Sequence, residues 1–306
     1  MRVAIVGAGA LGLYYGALLQ KAGEEVHFLL RSDYEAIRAH GLKVFSNNGD
    51  FALPQVSCYR KPEEIGTVDL VLVGLKTFAN SSYAGLIGPL LAEQTQVLTL
   101  QNGLGNEEAL AELFGAGRVI GGVAFLCSNR GKPGEVHHLG AGRITLGEYE
   151  RRDHRRVERL AALFTVAGVE CSATDDLKRA RWEKLVWNIP FNGLCALLMQ
   201  PVNQLLAREA TRRLVREIML EVITAANVQG LVRPIAEKFA DDMLEFTDNM
   251  GEYRPSMQID RAEGRQLEID AILRTPLTFA ARQGIAMPRT AMLATLLEQT
   301  VNDCAF

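Results

Sequence analysis

Three polar side chains recur at equal intervals within an otherwise apolar stretch, WEKLVWNIPFN. They are Lys184, Asn188 and Asn192, which stand four residues apart. Residues at i, i+4 and i+8 share one face of a helix, so a helix here would align one ammonium and two amides. Buried polar groups must find partners, and an aligned set of this kind indicates a ligand site. Partners within the protein are the alternative for the two asparagines.

An ammonium at such a site can act as a general acid. Lys184 can protonate the oxygen of a substrate carbonyl as hydride reaches the carbon, and it polarises that carbonyl beforehand. The two asparagines can hold a hydroxyl or a carboxylate of the same substrate. Pro190 lacks an N–H and clashes with the carbonyl of Val186, which costs about 3 kcal/mol in a helix interior. We therefore expect a kink or a break in this helix.

The start of the chain carries a pattern that predicts a dinucleotide site. RVAIVGAGALGLYYGALLQKAG predicts a buried strand, a glycine turn and a helix, and EEVHFLLR predicts a second strand directly after it. Gly7 permits the tight turn, Gly9 lets the backbone approach a pyrophosphate, and Gly12 allows close packing of helix on strand. The free N–H groups of the helix would face the phosphates. The predicted cofactor contacts in this turn are Gly7, Ala8, Gly9, Ala10, Leu11 and Gly12.

The end of the second strand indicates which dinucleotide binds. NAD-specific sites usually carry an acidic residue here, which holds the ribose 2′-hydroxyl. This chain instead has Arg31, and a guanidinium can bind a 2′-phosphate through two hydrogen bonds. Asp33 follows two residues later, where it fits a side-chain cap on the next helix. We therefore predict NADP (NADPH) as the cofactor.

Two further strands of the first half are predicted to end in polar residues. VDLVLVGLK (68–76) ends in Lys76, TQVLTLQNG (95–103) contains Asn102 near its end, and SSYAGLIGPLLAE predicts a helix between them. Such apolar runs suit parallel strands, and ligands bind beyond the carboxyl ends of those strands. A solvated lysine and a simple Asn-Gly turn are the alternatives for these two residues.

From about residue 176 the pattern changes to helices, with apolar residues recurring at intervals of three and four. The predicted helical segments are 175–199, 209–230, 234–250, 258–284 and 284–302. In the first half, a helix is predicted from near Asn106, followed by at least two more strands before residue 150. The predicted fold class is therefore α/β: a Rossmann-type doubly wound parallel sheet in 1–174, then an all-helical domain in 175–306. We expect the ligands to bind in a cleft between these domains.

Composition argues against several other classes of protein. The 306 residues carry a formal charge of −3, with 48% hydrophobic and 23% charged residues, which gives no footprint for nucleic acid or membrane. Basic residues after 151 interleave with Asp153 and Glu158 and predict a solvated helix face. The five cysteines and five histidines form no disulfide or metal pattern, so no metal is expected. Without a signal-peptide pattern or an apolar run of about 18 residues, we expect a cytoplasmic protein.

The order and spacing of several motifs resemble the ketopantoate reductase (2-dehydropantoate 2-reductase) family. The motifs are GAGALG, LKTF, QNGLG, WEKLVWNIPFN and RPSMQIDRAEGRQLEID, and together they run across essentially the whole chain. The resemblance implies NADPH-dependent reduction of the 2-oxo acid 2-dehydropantoate to pantoate, in pantothenate biosynthesis. A paralogue acting on another 2-oxo acid and a non-catalytic NADP-sensing protein are the alternatives. A homodimer is left open.

The resemblance also implies roles on the substrate side of the site. Lys184 corresponds to the general acid, Asn188 and Asn192 to substrate-binding amides, and Ser256 to a substrate-binding hydroxyl. Glu268 corresponds to an acidic residue of the catalytic site that lies near both cofactor and substrate. A carboxylate close to Lys184 would keep its ammonium protonated against burial. Without the resemblance, the pattern favours an exposed helix residue for Glu268 and a helix cap for Ser256.

Further roles follow for the cofactor side. Asn102 corresponds to an amide that touches both ligands, Lys76 to a cleft lysine near them, and Cys127 to a backbone contact with the cofactor. Arg31 stands where the family holds the 2′-phosphate.

Two departures from the family pattern bear on substrate identity. Many members carry an asparagine a few residues before the serine, whereas here Tyr253 lies three and Asn249 seven residues before Ser256. A further substrate asparagine has no clear match, and Asn203 is the candidate for it.

Overall fold

The structure, a computed structural model, describes residues 1–150 and 154–302. It divides into two compact units. The first comprises Met1–Gln101 and Asn106–Leu177, and the second comprises Asn102–Gly105 and Lys178–Phe306. The first unit contains the sheet and the second is helical, so the predicted fold class is confirmed. The ligand cleft expected between the two domains stays a prediction.

The first unit is built on a ten-stranded, mostly parallel sheet. Its strands follow the order β4-β3-β9-β8-β7-β6-β1-β2-β5, and β10 pairs with β9. Only the pairs β8–β9 and β3–β4 are antiparallel among the described strands. The strands are β1 (Arg2–Val6), β2 (Glu25–Leu29), β3 (Leu42–Ser46), β4 (Phe51–Leu53), β5 (Ser57–Tyr59), β6 (Val68–Val73), β7 (Leu91–Thr99), β8 (Val119–Arg130), β9 (Glu135–Glu148) and β10 (Cys171–Thr174).

The central strands are buried on both faces. On β1, Val3 and Ile5 belong to one apolar cluster, whereas Ala4 and Val6 belong to another, as alternation along a strand requires. The helices of this unit are α1 (Ala10–Lys21), α2 (Tyr34–His40), α3 (Tyr83–Ile87), α4 (Asn106–Phe114) and α5 (His154–Val166). The predicted start near Asn106 is confirmed. The first residues of the basic segment, 151–153, lie outside the described residues.

Several predicted boundaries in this unit are wrong. The strand predicted over 68–76 ends at Val73, and the strand predicted over 95–103 runs from Leu91 to Thr99. The helix predicted between them shrinks to α3 and a 3-10 turn, Gly88–Leu90. Pro89 explains the short helix, because proline lacks an N–H and disfavours helical backbone at the residue before it. The short strands β3, β4, β5 and β10 were not predicted; β4, β5 and β10 are only three or four residues long and contain no fully buried residue.

The second unit is helical. Its helices are α6 (Leu177–Leu198), α7 (Val202–Leu206), α8 (Glu209–Asn227), α9 (Lys238–Asp248), α10 (Ser256–Ala262), α11 (Thr275–Arg282) and α12 (Pro288–Asn302), with a π-helical turn, Asp270–Arg274, before α11. The single helix predicted over 258–284 is wrong. The chain turns at Gly264, whose φ of +66° suits glycine, so α10 ends at Ala262.

Helix α6 continues through Pro190, so the helix does not break there. The flanking residues Ile189 and Phe191 are fully buried. Their packing offsets the roughly 3 kcal/mol that proline costs in a helix interior. None of the described helices has the length and apolar character that crossing a bilayer demands.

Candidate active site

The glycine turn after β1 has the geometry of a dinucleotide cradle. Gly7 has φ +96°, and a Cβ there would lie 2.3 Å from the backbone nitrogen of Leu75. A Cβ on Gly12 would lie 2.3 Å from the carbonyl oxygen of Gly7. Gly9 differs, because no atom lies within 4 Å of the place its Cβ would take. The space in front of Gly9 is therefore open at the N-terminus of α1, where free N–H groups can bind a diphosphate.

Ala8, Ala10 and Leu11 are half-buried between these glycines, so their backbone borders the same open space. Arg31 is exposed just beyond β2, and its guanidinium makes no hydrogen bond to any residue that the structure describes. A cation at this place fits a 2′-phosphate. The residues of the first unit therefore fit NADP, as predicted.

The prediction for Asp33 is wrong in one respect. Asp33 stands at the N-cap position of α2, but its side chain makes no capping hydrogen bond. Its Oδ1 instead accepts from the hydroxyl of Ser32, at 3.1 Å, and from the guanidinium of Arg130. No local pattern predicts this contact, since Arg130 is 97 positions away.

Two further residues predicted to contact the cofactor lie in the same unit, whereas Asn102 and Glu268 belong to the second. Lys76 is half-buried and comes three residues after the end of β6, directly before a 3-10 turn, Thr77–Ser82. Cys127 is half-buried on β8 opposite Gly140, at an irregularity in the strand register. Such irregularities re-aim backbone groups and are frequent beside binding sites. The ligand contacts of Lys76 and Cys127 stay predictions.

In the second unit, Lys184 and Asn102 meet. Lys184 is buried on α6, and its Nζ donates to Oδ1 of Asn102 over 2.5 Å. The loop that carries Asn102 is anchored by a bond from Leu104 N–H to the carbonyl of Ala271, at 3.0 Å. Ala271 lies in the π-helical turn, and the residue five positions on is Pro276, which has no N–H to give that carbonyl. The bend at 102–103, for which a simple Asn-Gly turn was the alternative, thus holds Asn102 beside Lys184; the ligand contacts of Asn102 stay a prediction.

The charge of Lys184 is tuned by its surroundings. Burial lowers the pKa of Lys184 to about 7; the nearby Arg181 guanidinium lowers it too, and the Glu268 carboxylate raises it. Glu268 is only 4% exposed, so its interpretation as an exposed helix residue is wrong. An ammonium with a pKa near the working pH is suited to general acid catalysis. Arg181 was not predicted, although its place three residues before Lys184 puts it on the same helix face.

The two amides of α6 form a directed chain of hydrogen bonds with the start of α10. Oδ1 of Asn192 accepts from Met257 N–H at 3.0 Å and from the Ser256 hydroxyl at 3.3 Å. Nδ2 of Asn192 donates to Oδ1 of Asn188 at 3.2 Å. Because a backbone N–H can only donate, it fixes the orientation of Asn192, and Asn192 in turn fixes that of Asn188.

The end of this chain is an unsatisfied donor. Nδ2 of Asn188 is buried and has no hydrogen-bond partner among the residues described. A buried amide donor without a partner is costly, and a ligand acceptor would remove that cost. Ser256 is the first residue of α10, where Pro255 occupies the cap position, so the predicted side-chain cap is wrong. Asn192 has the structural partners left open as an alternative, whereas Asn188 keeps a donor for a ligand.

The three residues that depart from the family pattern differ in their surroundings. Asn203 is exposed on α7, and Asn249 is exposed with Nδ2 donating to the carbonyl of Glu245 at 2.9 Å. Tyr253 instead packs against Trp187 of α6, with ring centroids 6.1 Å apart. Of the three, Tyr253 is the one that lies against the helix carrying Lys184 and Asn188.

Comparisons with known proteins identify the family of this chain. Residues 3–151 match the family described as ketopantoate reductase PanE/ApbA, and residues 176–301 match the C-terminal domain of the same family. A 2-dehydropantoate 2-reductase of Nostoc sp. is 45% identical over 293 residues, which cover 94% of this chain and 91% of that protein.

Solved structures give the same result. The crystal structure of 2-dehydropantoate 2-reductase from Geobacter metallireducens superposes with a TM-score of 0.97 at 75% identity, covering 98% of this chain and all of that one. The corresponding enzyme from Methylococcus capsulatus gives a TM-score of 0.91 at 31% identity, covering 100% of this chain and 98% of that one. Family matches over both halves and these full-length similarities show that the chain belongs to the ketopantoate reductase family.

Proposed function

We propose that this protein reduces 2-dehydropantoate to pantoate with NADPH, and that Lys184 supplies the proton. The observation that carries the proposal is the buried Lys184, whose Nζ donates to Asn102 and whose pKa is lowered to about 7. Lysine on a protein surface has a pKa above 10 and transfers its proton poorly at neutral pH. The family to which the chain belongs uses NADPH.

The residues of the first unit would hold the cofactor. The backbone from Gly7 to Gly12 would bind the diphosphate at the N-terminus of α1, and Arg31 would bind the 2′-phosphate. The further proposed contacts are Lys76 and Cys127 of this unit, with Asn102 and Glu268 of the second unit. Bound NADPH supplies the hydride that is added to the carbonyl carbon.

Lys184 and Asn102 would act on the carbonyl oxygen of the substrate. The Lys184 ammonium polarises the carbonyl, and its attraction grows as negative charge develops on the oxygen. As the carbon gains hydride, Nζ gives one proton to the oxygen, which becomes the hydroxyl of the product. Lys184 is then neutral and regains a proton from water. The Asn102 amide oxygen accepts from Nζ and so holds the lysine in one orientation.

The asparagines would bind the rest of the substrate. Nδ2 of Asn188 offers a donor to a carboxylate or hydroxyl oxygen, which are the acceptors of a hydroxylated 2-oxo acid. Asn192 and Ser256 support Asn188 through the chain of hydrogen bonds described above. We propose direct substrate contacts for these two as well.

The test is NADPH oxidation by the purified protein, with 2-dehydropantoate compared against 2-oxo acids that lack its hydroxyl group. We expect the highest kcat/KM for 2-dehydropantoate. Higher kcat/KM for another 2-oxo acid would identify a paralogous reductase. NADPH binding without turnover of any 2-oxo acid would identify a sensor instead of an enzyme.

Two finer parts of the proposal concern the protein as a whole. We propose that it works in the cytoplasm on a small-molecule 2-oxo acid and binds neither nucleic acid nor membrane. A homodimer stays a prediction. Size-exclusion chromatography with light scattering decides between one and two chains.

A further inference from the structure

A buried carboxylate holds an exposed guanidinium just beyond the carboxyl end of β2. Asp33 is 2% exposed, whereas the side chain of Arg130 is 44% exposed. Nη2 of Arg130 donates to Oδ1 of Asp33 and, over 3.2 Å, to the hydroxyl of Ser32. The Ser32 hydroxyl itself donates to Oδ1 of Asp33 at 3.1 Å. These three residues belong to the first unit, and Arg31 directly precedes Ser32.

Arg130 uses only part of its hydrogen-bonding capacity in this cluster. A guanidinium has five N–H donors, and both contacts of Arg130 come from Nη2. Nε and Nη1 make no hydrogen bond to any residue within 1–150 or 154–302. The guanidinium is therefore fixed on one edge by Asp33 and presents its remaining donors outward. Arg31, which directly precedes Ser32, likewise makes no hydrogen bond through its guanidinium to any residue that the structure describes.

The position of the cluster after β2 indicates which group the remaining N–H donors of Arg130 could bind. In dinucleotide-binding folds the residues just after the second strand face the 2′ position of the adenosine ribose. A lone carboxylate there would repel a 2′-phosphate, but Arg130 neutralises Asp33. Together, Arg31, Asp33 and Arg130 carry one net positive charge, which suits a phosphate group.

We propose that Arg130 is a second 2′-phosphate-binding residue alongside Arg31, and that Asp33 is its positioning residue. The proposal rests on the proposed use of NADPH. Arg130 would engage the phosphate through Nε and Nη1 while Nη2 stays on Asp33 and Ser32. Because NADPH and NADH differ only in the 2′-phosphate, these residues would affect cofactor choice, and they take no part in the proton transfer assigned to Lys184.

The experiment measures binding of NADPH and of NADH to the purified variants by isothermal titration calorimetry. Arg130→Met alone would leave the Asp33 carboxylate buried and uncompensated, which can unfold the protein. The informative variant is therefore Asp33→Asn/Arg130→Met, compared with Asp33→Asn, which keeps an acceptor for Nη2. Circular dichroism checks that both variants are folded. Adenosine 2′,5′-bisphosphate and 5′-AMP serve as smaller probes with and without the 2′-phosphate.

A hydrogen bond to a charged group is worth about 1.5–3 kcal/mol, so the double variant should bind NADPH roughly 10- to 100-fold more weakly than Asp33→Asn. Its affinity for NADH and 5′-AMP should stay within about twofold, because neither carries the 2′-phosphate. Adenosine 2′,5′-bisphosphate should lose affinity as NADPH does.

Equal losses for NADPH and NADH, or no loss for either, would overturn the proposal, since a purely structural ion pair does not distinguish them. The proposal is also overturned if Arg31→Met alone removes all preference for NADPH over NADH, since Arg130 would then contribute nothing to it. If the unaltered protein itself binds NADPH and NADH equally, the proposed cofactor fails. That result is distinguishable from a failure of Arg130 alone.

Discussion

Lys184 on α6 donates a 2.5 Å hydrogen bond to Oδ1 of Asn102, a residue 82 positions earlier in the chain. An amide oxygen can accept from an ammonium or an amine, so this contact orients Nζ in both protonation states. Burial and Arg181 meanwhile lower the lysine pKa to about 7, against the pull of Glu268. The pair thus combines a fixed orientation with a readily released proton.

Replacing Lys184 by Met should separate activity from stability. Loss of the general acid should lower kcat by roughly 10²–10⁴-fold, while the affinity for NADPH stays near normal. The lowered pKa shows that burial of the Lys184 charge outweighs the attraction of Glu268, so the variant should not unfold more readily than the unaltered protein at neutral pH. Steady-state kinetics and urea unfolding at neutral pH measure the two effects.

The matched control is Lys178→Met on the same helix. Lys178 is exposed and donates to the carbonyl of Gln229 at 2.8 Å. This variant should change kcat and unfolding free energy little. Near-normal turnover of Lys184→Met would contradict the assignment and would direct attention to Lys76.

The reduction should slow as the pH rises through neutrality. The general acid works only when protonated, and the pKa of Lys184 is lowered to about 7. The value of kcat/KM should therefore be level at lower pH and fall about tenfold per pH unit well above 7. The same titration changes the free energy of unfolding in the opposite direction to kcat/KM. Unfolded lysine keeps its proton up to a pKa of about 10.4, so its contribution to stability should rise with pH between the two values.

Two substitutions should move this pH profile in opposite directions. Glu268→Gln removes a carboxylate that raises the pKa of Lys184, so the fall in kcat/KM should begin at lower pH. Arg181→Met removes a cation that lowers this pKa, so the fall should begin at higher pH. Profiles that move together, or not at all, would mean that another group controls the pH dependence.

The local pattern of the sequence was sufficient to predict the turn from Gly7 to Gly12 and the polar face of α6, because both depend on residues within one or two elements. The resemblance to a family added Ser256 and Glu268. Neither source could predict Arg130 beside Asp33 or Arg181 as a modulator of Lys184. Such contacts depend on long-range pairing of strands or on the distribution of charges around a buried group. A short stretch of sequence carries no information about either.

Pro190 shows a different limit of the sequence. Its cost in a helix interior is a local property, and it predicted a kink or a break. The break does not occur, whereas the kink stays a prediction. The residues on either side are fully buried, and their packing is decided by the whole second unit. Propensity is a weak predictor wherever burial is this complete.

The two asparagines of α6 should respond differently to replacement by Leu, which has a similar shape. Asn188→Leu removes the unpaired donor Nδ2, so KM for the 2-oxo acid should rise roughly 10- to 100-fold if it binds a carboxylate. Asn192→Leu removes the acceptor for Met257 N–H at the start of α10, so it should cost the larger share of stability, about 1–2 kcal/mol. Steady-state kinetics measure KM of both variants, and urea unfolding measures their free energy of unfolding. An unchanged KM in Asn188→Leu would show that its amide does not face the substrate.

Gly103→Ala should disturb the loop that carries Asn102, and Gly105→Ala is its matched control. Both glycines have positive φ, +80° and +91°, so alanine costs about 1–2 kcal/mol of backbone strain at either position. Only at Gly103 would the new Cβ meet backbone, 2.2 Å from the carbonyl oxygen of Ala271; at Gly105 the nearest atom is a methyl group of Thr275 at 3.5 Å. Gly103→Ala must therefore push the loop away from Ala271 and move Asn102 off Nζ of Lys184. We expect kcat to fall at least about tenfold in Gly103→Ala and to be retained in Gly105→Ala, with thermal unfolding reporting the shared strain. Equal kcat in the two variants would show that the position of Asn102 does not govern proton transfer.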